Sequence, residues 1–208
     1  MKKNYIASDS AVIAAIMAIS LLISGIFTEV SSEKHIEESL VRLHILANSD
    51  SELDQQLKLR VRDAVLASSD ELFEPYSSSE EAEEALSGQL DKIKAIADST
   101  LAENGCDDRT VCEITSMDID RREYGEYTVP AGRYTALRIT IGEGKGHNWW
   151  CVMYPPLCVP CAGVDMTDEE IMEKYGGELT DEDIELLTEE GYKPRLYIAE
   201  LIGGLLEK

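Results

Sequence analysis

The cysteine pair Cys158 and Cys161 has the C-x-x-C spacing that supports either thiol–disulfide exchange or half of a zinc site. A zinc ribbon needs a second such pair, but Cys106 and Cys112 stand six positions apart. A thioredoxin-type pair lies at the start of a helix, whereas Pro155-Pro156 marks this stretch as a loop. The sequence therefore favours structural thiols or a disulfide, and we predict no cofactor or metal. Because there are five cysteines, at least one thiol is left over.

A nucleophile, a histidine and an acid stand close together in the sequence at Ser49, His44 and Asp50. Hydrolytic chemistry needs the three side chains within hydrogen-bond reach of one another, and neighbours on a strand and a tight turn rarely meet in that way. His44 shares the polar side of its strand with Arg42, so we interpret it as a structural histidine with satisfied hydrogen bonds. Asp50 and Asp54 are explained as a helix cap and an ion-pair partner. The residues alone therefore predict no active site.

Gly142, Gly144 and Gly146 stand at every second position, a spacing that is similar to that of a phosphate-binding loop. Phosphate loops lead into a helix, whose first N–H groups bind the anion, but a strand pattern follows here. We therefore predict that these glycines form a hairpin connection between two strands.

The residues between 41 and 67 have the patterns of a strand, a turn and a helix. Val41, Leu43 and Ile45 alternate with polar residues, which is typical of a strand. Asn48 to Ser51 supply turn and N-cap residues. An apolar stripe at helical spacing follows, and charged residues with the acid first stand at i,i+4 positions beside it. The stripe is Leu53, Leu57, Val61 and Ala64 or Val65, and the charged residues are Asp54, Lys58 and Arg62.

The rest of the chain predicts further helices and strands. A long helix runs from the caps at Ser77–Ser79 to Gly105. The stretch 165–190 is acidic and mostly helical, and Thr180 with Asp183 has the spacing of a capping box. Together the elements predict an α+β fold in one domain over residues 33–208, with a small, mostly antiparallel sheet packed on two or more helices. The β-rich segments are Thr110–Met117, Tyr134–Ile141 and Trp149–Tyr154.

Residues 1–32 have the layout of an export signal or membrane anchor with a spacer. Lys2 and Lys3 precede an uncharged apolar segment from Ala11 to Phe27, which is near the length that spans a bilayer. Because the two lysines precede the apolar segment, we expect the N-terminus inside the membrane-bound compartment and everything after Thr28 outside it. Ser32 to Ser39 are expected to form a polar spacer. We therefore expect an exported protein that contacts the membrane through its N-terminal segment only.

The 208-residue chain carries 41 acidic and 19 basic side chains, which gives a formal net charge of −22. Such a surface is repelled by the phosphate backbone of nucleic acids and by anionic lipid. The composition therefore excludes a general nucleic-acid-binding protein, and we expect no nucleic-acid partner.

Two stretches of the chain resemble the motifs of the stage II sporulation protein R family. The first is Arg42-Leu-His-Ile-Leu-Ala-Asn-Ser-Asp50, which continues through Asp54-Gln55 and Leu57-Lys58 to Val61-Arg-Asp63. The second comprises Pro130 to Tyr134, Leu137 to Ile139, Gly142 to Val152 and Pro155 to Cys158. The resemblance covers roughly residues 40 to 160.

The resemblance implies a signalling protein of endospore-forming bacteria. Members are made in the forespore and exported into the space between the two membranes. There they activate a membrane-embedded aspartic-type protease of the mother cell, which removes the pro-sequence of sigma-E. A member is thus a ligand and not an enzyme. The alternative is an exported hydrolase or thiol-redox enzyme that uses Cys158 and Cys161 or His44.

We expect the partner surface around the first strand–helix unit and the glycine loop. Trp149 and Trp150 are consecutive strand residues, so their side chains point to opposite faces of a sheet. Either one indole is exposed as a binding hot spot or both are buried in two layers. The turn Asn48–Asp50 is also expected to cap the following helix. The partner-binding candidates are Asn48, Ser49, Asp50, Asp54, Gln55, Lys58, Arg62, Asn148, Trp149 and Trp150.

Cys151 and Cys158 both lie within the stretch that resembles the second family motif. Pro155-Pro156 between them would turn the chain back, so that the two Cα atoms approach the roughly 5.5 Å of a disulfide. We therefore predict that Cys151 and Cys158 pair.

Overall fold

The computed structural model describes residues 12–14, 16–17, 19–20, 31–68, 76–124, 127–155 and 178–188. Most of the expected export segment, Cys158, Cys161 and most of the acidic stretch 165–190 lie outside the described residues. The few described positions between 12 and 20 are helical. Among the described residues, no helix has both the length and the apolar character needed to cross a membrane.

A mixed four-stranded sheet lies at the centre of an α+β fold. Its order is β2-β5-β1-β6, with β1 parallel to β5 and antiparallel to β6, and with β2 antiparallel to β5. The α+β class is confirmed, while the central parallel pair was not expected. The strands are β1 Val41–Leu46, β2 Thr110–Ile119, β3 Arg122–Tyr124, β4 Tyr127–Val129, β5 Gly132–Ile141 and β6 Asn148–Tyr154, and the helices are α1 Glu52–Ala67, α2 Ser79–Gly88, α3 Leu90–Glu103 and α4 Asp181–Leu187.

The glycine loop between β5 and β6 is not a hairpin, so that prediction is wrong. β1 lies between the two strands, and the connection from Gly142 to His147 has to pass over the end of β1. Five of the six residues of β1 are buried, on both faces of the sheet. A strand that is covered on both faces is suited to the centre of a sheet, which explains why β1 separates β5 from β6.

Helices α1, α2 and α3 cover one face of the sheet. Leu43 and Ile45 of β1 are fully buried there together with Val61 of α1 and Leu101 of α3. The predicted stripe of α1 is confirmed at Leu57, Val61 and Val65, but Leu53 in the first turn is 64% exposed. The single long helix that we predicted is two helices, because Gln89 interrupts it between α2 and α3.

The other face is covered by helical residues 31–39, by the β3–β4 hairpin and by α4. The prediction of a polar spacer is therefore wrong, since Ile36 is fully buried and Leu40 is nearly so. His35 Nδ1 lies 2.7 Å from the Asp183 carboxylate of α4. The capping box of Thr180 and Asp183 at the start of α4 is present as the sequence indicates. Residues 31–39 are thus part of the folded domain.

Substitution of Ile36 by alanine is expected to destabilise the protein. The side chain is fully buried on the second face, so its loss should lower the free energy of unfolding by about 2–5 kcal/mol. The matched control is Lys34→Ala in the same helical segment, whose side chain is 72% exposed and whose loss should change stability by less than about 0.5 kcal/mol. Denaturant unfolding measures both. Equal effects would mean that residues 31–39 do not pack as described.

Candidate functional site

The end of β1 and the loop after β5 are joined by hydrogen bonds of the main chain. Gly146 N donates to Ala47 O at 2.9 Å, and Lys145 N donates to Asn48 O at 3.0 Å. Glu143 N donates to the side-chain oxygen of Asn48 at 2.9 Å. The two stretches that resemble the family motifs therefore meet in space. We call residues 47–58 and 142–150 together the junction.

The glycines of the loop allow its backbone to approach the turn closely. A Cβ atom on Gly146 would lie 2.2 Å from the carbonyl oxygen of Ser49. Gly142 has φ +55°, a left-handed conformation that favours glycine, and a Cβ there would lie 2.4 Å from Asn48 Oδ1. The alternating glycines are thus explained by this crossing and not by phosphate binding.

The turn residues Asn48, Ser49 and Asp50 do not cap α1, which corrects that prediction. The N-cap is Ser51, whose hydroxyl accepts a hydrogen bond from Asp54 N at 3.1 Å. Ser49 Oγ donates to the Asp54 carboxylate, and Asn48 Nδ2 donates to the same oxygen at 3.3 Å. The turn is therefore held to the helix through side chains and not through free N–H groups of the helix.

Asp50 contacts His147 in the loop. Its carboxylate accepts a hydrogen bond from His147 N at 2.6 Å and also pairs with the His147 ring. The backbone N–H of His147 is the largest of the causes that lower the pKa of Asp50. Both side chains are exposed, so this pair lies on the outer surface of the junction.

Lys58 and Gln55, two of the partner-binding candidates, lie on the inner side of the junction. Lys58 is only 5% exposed, and its Nζ donates to Gln55 Oε1 at 2.7 Å and to His147 O at 2.9 Å. Gln55 Nε2 donates to Ser49 O at 2.9 Å. Desolvation is the main cause that lowers the pKa of Lys58. These two side chains therefore fix the turn and the loop to α1.

The two tryptophans point to opposite faces of the sheet, as predicted. Trp149 lies on the helical side, where the Arg62 guanidinium stands 5.2 Å from its ring centroid. Trp150 lies on the other side and stacks on His44, with the ring centroids 3.7 Å apart and the planes within 3°. Both indoles are partly buried, so neither expected alternative is met in full. Asn148 precedes them and is exposed.

His44 is 3% exposed, and neither of its ring nitrogens has a hydrogen-bond partner in the part of the chain that the structure describes. The interpretation of a satisfied structural histidine is therefore wrong. Burial, and secondarily the charge of Arg138, lowers the pKa of His44 to about 4. The catalytic set of Ser49, His44 and Asp50 is not assembled, because Ser49 contacts Asp54 and Asp50 contacts His147.

Cys151 is disulfide-bonded. The predicted partner Cys158 and the second cysteine of its pair, Cys161, lie outside the described residues, so this pairing stays a prediction. Cys106 and Cys112 are free and partly buried. Burial raises the pKa of Cys112 to about 11, which leaves its thiol protonated and weakly reactive at neutral pH. Within the described ranges, no three metal-ligating side chains form a group that could hold an ion.

The family model for stage II sporulation protein R matches residues 37–163. This chain belongs to that family. The curated stage II sporulation protein R of Bacillus subtilis (strain 168) is 39% identical over 150 residues, which is 67% of each chain. No solved structure matches the chain. The matched residues contain the whole junction, and a role in sporulation follows from the family.

Sequence reasoning missed two residues that help to form the junction. His147 was not among the candidate residues, and Gly146 was interpreted as part of a hairpin. Both lie within the stretch from Gly142 to Val152 that resembles the second family motif, and this position was the available signal. Their contacts with Asp50 and Ser49 require knowledge of the strand order, which local patterns do not contain.

Substitution of Gly146 by alanine is expected to destabilise the junction. The added Cβ would overlap the Ser49 carbonyl, so the free energy of unfolding should fall by about 1–3 kcal/mol. The matched control is Gly88→Ala at the end of α2, where nothing lies within 4 Å of the added atom and helix propensity predicts a gain of about 0.5–1 kcal/mol. Urea unfolding of both variants gives the comparison. A neutral Gly146 variant would contradict the close crossing.

The burial of His44 predicts a specific dependence of stability on pH. Because its pKa is about 4 in the folded protein and 6.5 in the unfolded chain, the unfolded chain takes up the proton first as the pH falls. The free energy of unfolding should therefore decrease by up to about 3 kcal/mol from pH 6.5 to pH 4 through this residue. In His44→Phe, which keeps a ring against Trp150, this contribution should be absent. Identical pH slopes in the two proteins would refute the assignment.

Proposed function

We propose that this chain is a signalling protein that is made in the forespore and exported into the space between the two membranes. There it activates a membrane-embedded aspartic-type protease of the mother cell, and that protease removes the pro-sequence of sigma-E. Membership of the stage II sporulation protein R family supports the role in sporulation. The specific steps are those that the resemblance implies, and residues 1–32 supply the export signal or anchor.

The observation that carries the proposal is the junction. Two stretches about 95 residues apart in sequence are brought together at one end of the sheet and are held by a dense set of hydrogen bonds. Burial accounts for Gln55 and Lys58, which fix this arrangement. It does not account for Asp50, Asn148 or the 64% exposed Leu53, which are solvent-exposed residues of the junction.

We infer that the protein acts by binding and not by catalysis. Within the described part of the chain, the candidate nucleophile Ser49 and the candidate acid Asp50 are committed to contacts inside the junction. The exposed residues of the junction combine a carboxylate, an amide and an apolar side chain, which is a composition that suits a protein surface. The partner that we propose for this surface is the part of the mother-cell protease that faces the space between the two membranes.

The proposal is tested by making this chain only in the forespore of a strain that lacks its own stage II sporulation protein R. Processing of pro-sigma-E, followed by immunoblot, should be restored by the full chain. A version in which an unrelated export signal replaces the segment from Ala11 to Phe27 should restore it equally, because that segment has no patterned feature besides its apolar character. A version without this segment should not.

Two outcomes would contradict the proposal. Processing by the version that stays in the forespore would show that export is not needed. Failure of the full chain, although it is exported and folded, would show that it is not the activating signal.

A further inference from the structure

A cavity of about 510 Å³ lies beside the start of β1, at the end of the sheet opposite to the junction. It is bounded by helical residues 35–39, by the start of α2, and by the stretches of β2 and β5 that carry Ser116 and Thr135. Its volume is within the roughly 300–1,000 Å³ that is typical of ligand sites. We call it the acidic cavity.

The residues that line the acidic cavity have an excess of negative charge. They include four carboxylates against one arginine, and the lining histidine, His35, is engaged with the Asp183 carboxylate. The arginine Nε donates to Ser116 Oγ at 3.1 Å. A cationic ligand would compensate the negative charge, whereas an anionic ligand would be repelled. The carboxylates are those of Glu37, Glu38, Glu80 and Glu178, and the arginine is Arg133.

Two of the four carboxylates are engaged within the protein, and two are not. Glu38 pairs with Lys34 at 3.2 Å, and Glu178 accepts a hydrogen bond from the first main-chain N–H of α2 at 2.8 Å. Among the described residues, neither Glu37 nor Glu80 has an ion pair or a hydrogen bond, and Glu37 is partly buried. These two carboxylates are therefore available to a ligand.

Ser39 is an independent indication that a ligand binds here. It lines the cavity although it is only 3% exposed, and its hydroxyl has no hydrogen-bond partner in the described part of the chain. Buried polar groups are almost always paired, so this exception requires an explanation. The fully enclosed side-chain atoms that lack a partner all belong to other residues, so the Ser39 hydroxyl keeps some accessible surface, and that surface opens into the cavity. A ligand that donates a hydrogen bond to this hydroxyl would supply the missing partner.

The distribution of the acceptors indicates what kind of cation fits. Within the described ranges, no three acidic or histidine side chains converge closely enough to hold a metal ion. Acceptors that are spread around a cavity match a larger cation with several N–H donors. The ammonium group of lysine and the guanidinium group of arginine have three and five such donors and no acceptor. A peptide that carries these side chains has both the charge and the size for the cavity.

We propose that the acidic cavity binds a basic peptide segment of a protein partner, whose lysine or arginine side chain donates hydrogen bonds to Glu37 and to the Ser39 hydroxyl. The cavity and the junction lie at opposite ends of the sheet, so this is a second contact surface of the molecule. Its chemistry depends on the carboxylates and the hydroxyl of the cavity and not on the proposed function.

The site is tested by titrating the ¹⁵N-labelled full chain with blocked trilysine at about 0.15 M salt, where long-range attraction is screened. The amide resonances of Glu37, Ser39 and Thr135 should shift. Those of Asp107 and Asp108, two consecutive acidic residues outside the cavity, serve as the internal reference for general electrostatic binding. Absence of a shift in the cavity, or an equal shift at the reference residues, would overturn the proposal.

Three control titrations identify the ligand class. Blocked triglutamine has a similar shape without the charge, spermidine is a cation that is not a peptide, and Mg²⁺ is a metal ion alone. None of them should reproduce the shifts at Glu37 and Ser39. Equal shifts with triglutamine or Mg²⁺ would refute a site for cationic side chains, and tighter binding of spermidine would refute a peptide as the ligand.

The variant Ser39→Ala separates recognition from folding. It removes a hydroxyl that has no described partner and places a better helix former in residues 31–39, so the thermal midpoint should stay unchanged or rise. Trilysine binding should weaken roughly tenfold, as expected for the loss of a hydrogen bond to a charged group. A lowered midpoint would mean that the hydroxyl is bonded within the chain, and the proposal would be wrong.

The second variant removes a charge from the cavity. Glu37→Gln should weaken trilysine binding roughly tenfold or more, because the carboxylate can no longer pair with the ammonium group. The matched control is Glu84→Gln, which removes the same charge from an exposed side chain of α2 that does not line the cavity and should leave binding unchanged. Equal losses would reduce the effect to net charge and refute the site.

The sporulation assay keeps the two proposals distinct. A full chain that restores sigma-E processing but does not bind trilysine refutes only the site. A full chain that binds trilysine in the cavity without restoring processing refutes only the proposed function.

Discussion

The structure depends on one close crossing of two backbones. β1 lies between β5 and β6, so the loop that joins those strands must pass over the end of β1, where Gly146 approaches the Ser49 carbonyl. This approach fixes the turn, and the turn fixes the start of α1 through Ser51 and Asp54. Lys58 then closes the arrangement from below by donating to the His147 carbonyl. The exposed residues of the junction are held in place by these contacts.

The sheet divides the molecule into two chemically different faces. On the helical face, Leu43, Ile45 and their neighbours form an apolar layer that is stabilised by packing. On the other face, Arg42 and His44 of the same strand are buried beside aromatic rings, and they have nitrogen atoms without hydrogen-bond partners among the described residues. Apolar packing stabilises the fold, whereas buried nitrogen atoms without partners lower its stability. The two faces of β1 therefore contribute to stability in different ways.

Local patterns predicted the elements of this fold well and their arrangement poorly. The alternation in β1, the apolar stripe of α1 and the capping box of α4 depend on neighbours in sequence, and each element was predicted correctly. The strand order depends on contacts between distant segments, so the glycine loop was mistaken for a hairpin. The burial of Lys58 was not predicted for the same reason, since the loop that accepts its hydrogen bond comes 89 residues later. Leu53 fits the apolar stripe but is exposed. The candidate residues of the junction were found through the family resemblance and not through their chemistry.

The position of β1 also constrains when the chain can fold. Val41 pairs with Thr135 and Tyr154, so the first strand has no partner in the central sheet until β5 is present. Topologies with such distant pairings fold slowly, because a long loop must close before the contacts form. In a chain that is synthesised from its N-terminus, β1 therefore remains unpaired in the central sheet until β5 has been made. The sheet is complete only when its last strand, Asn148–Tyr154, is present.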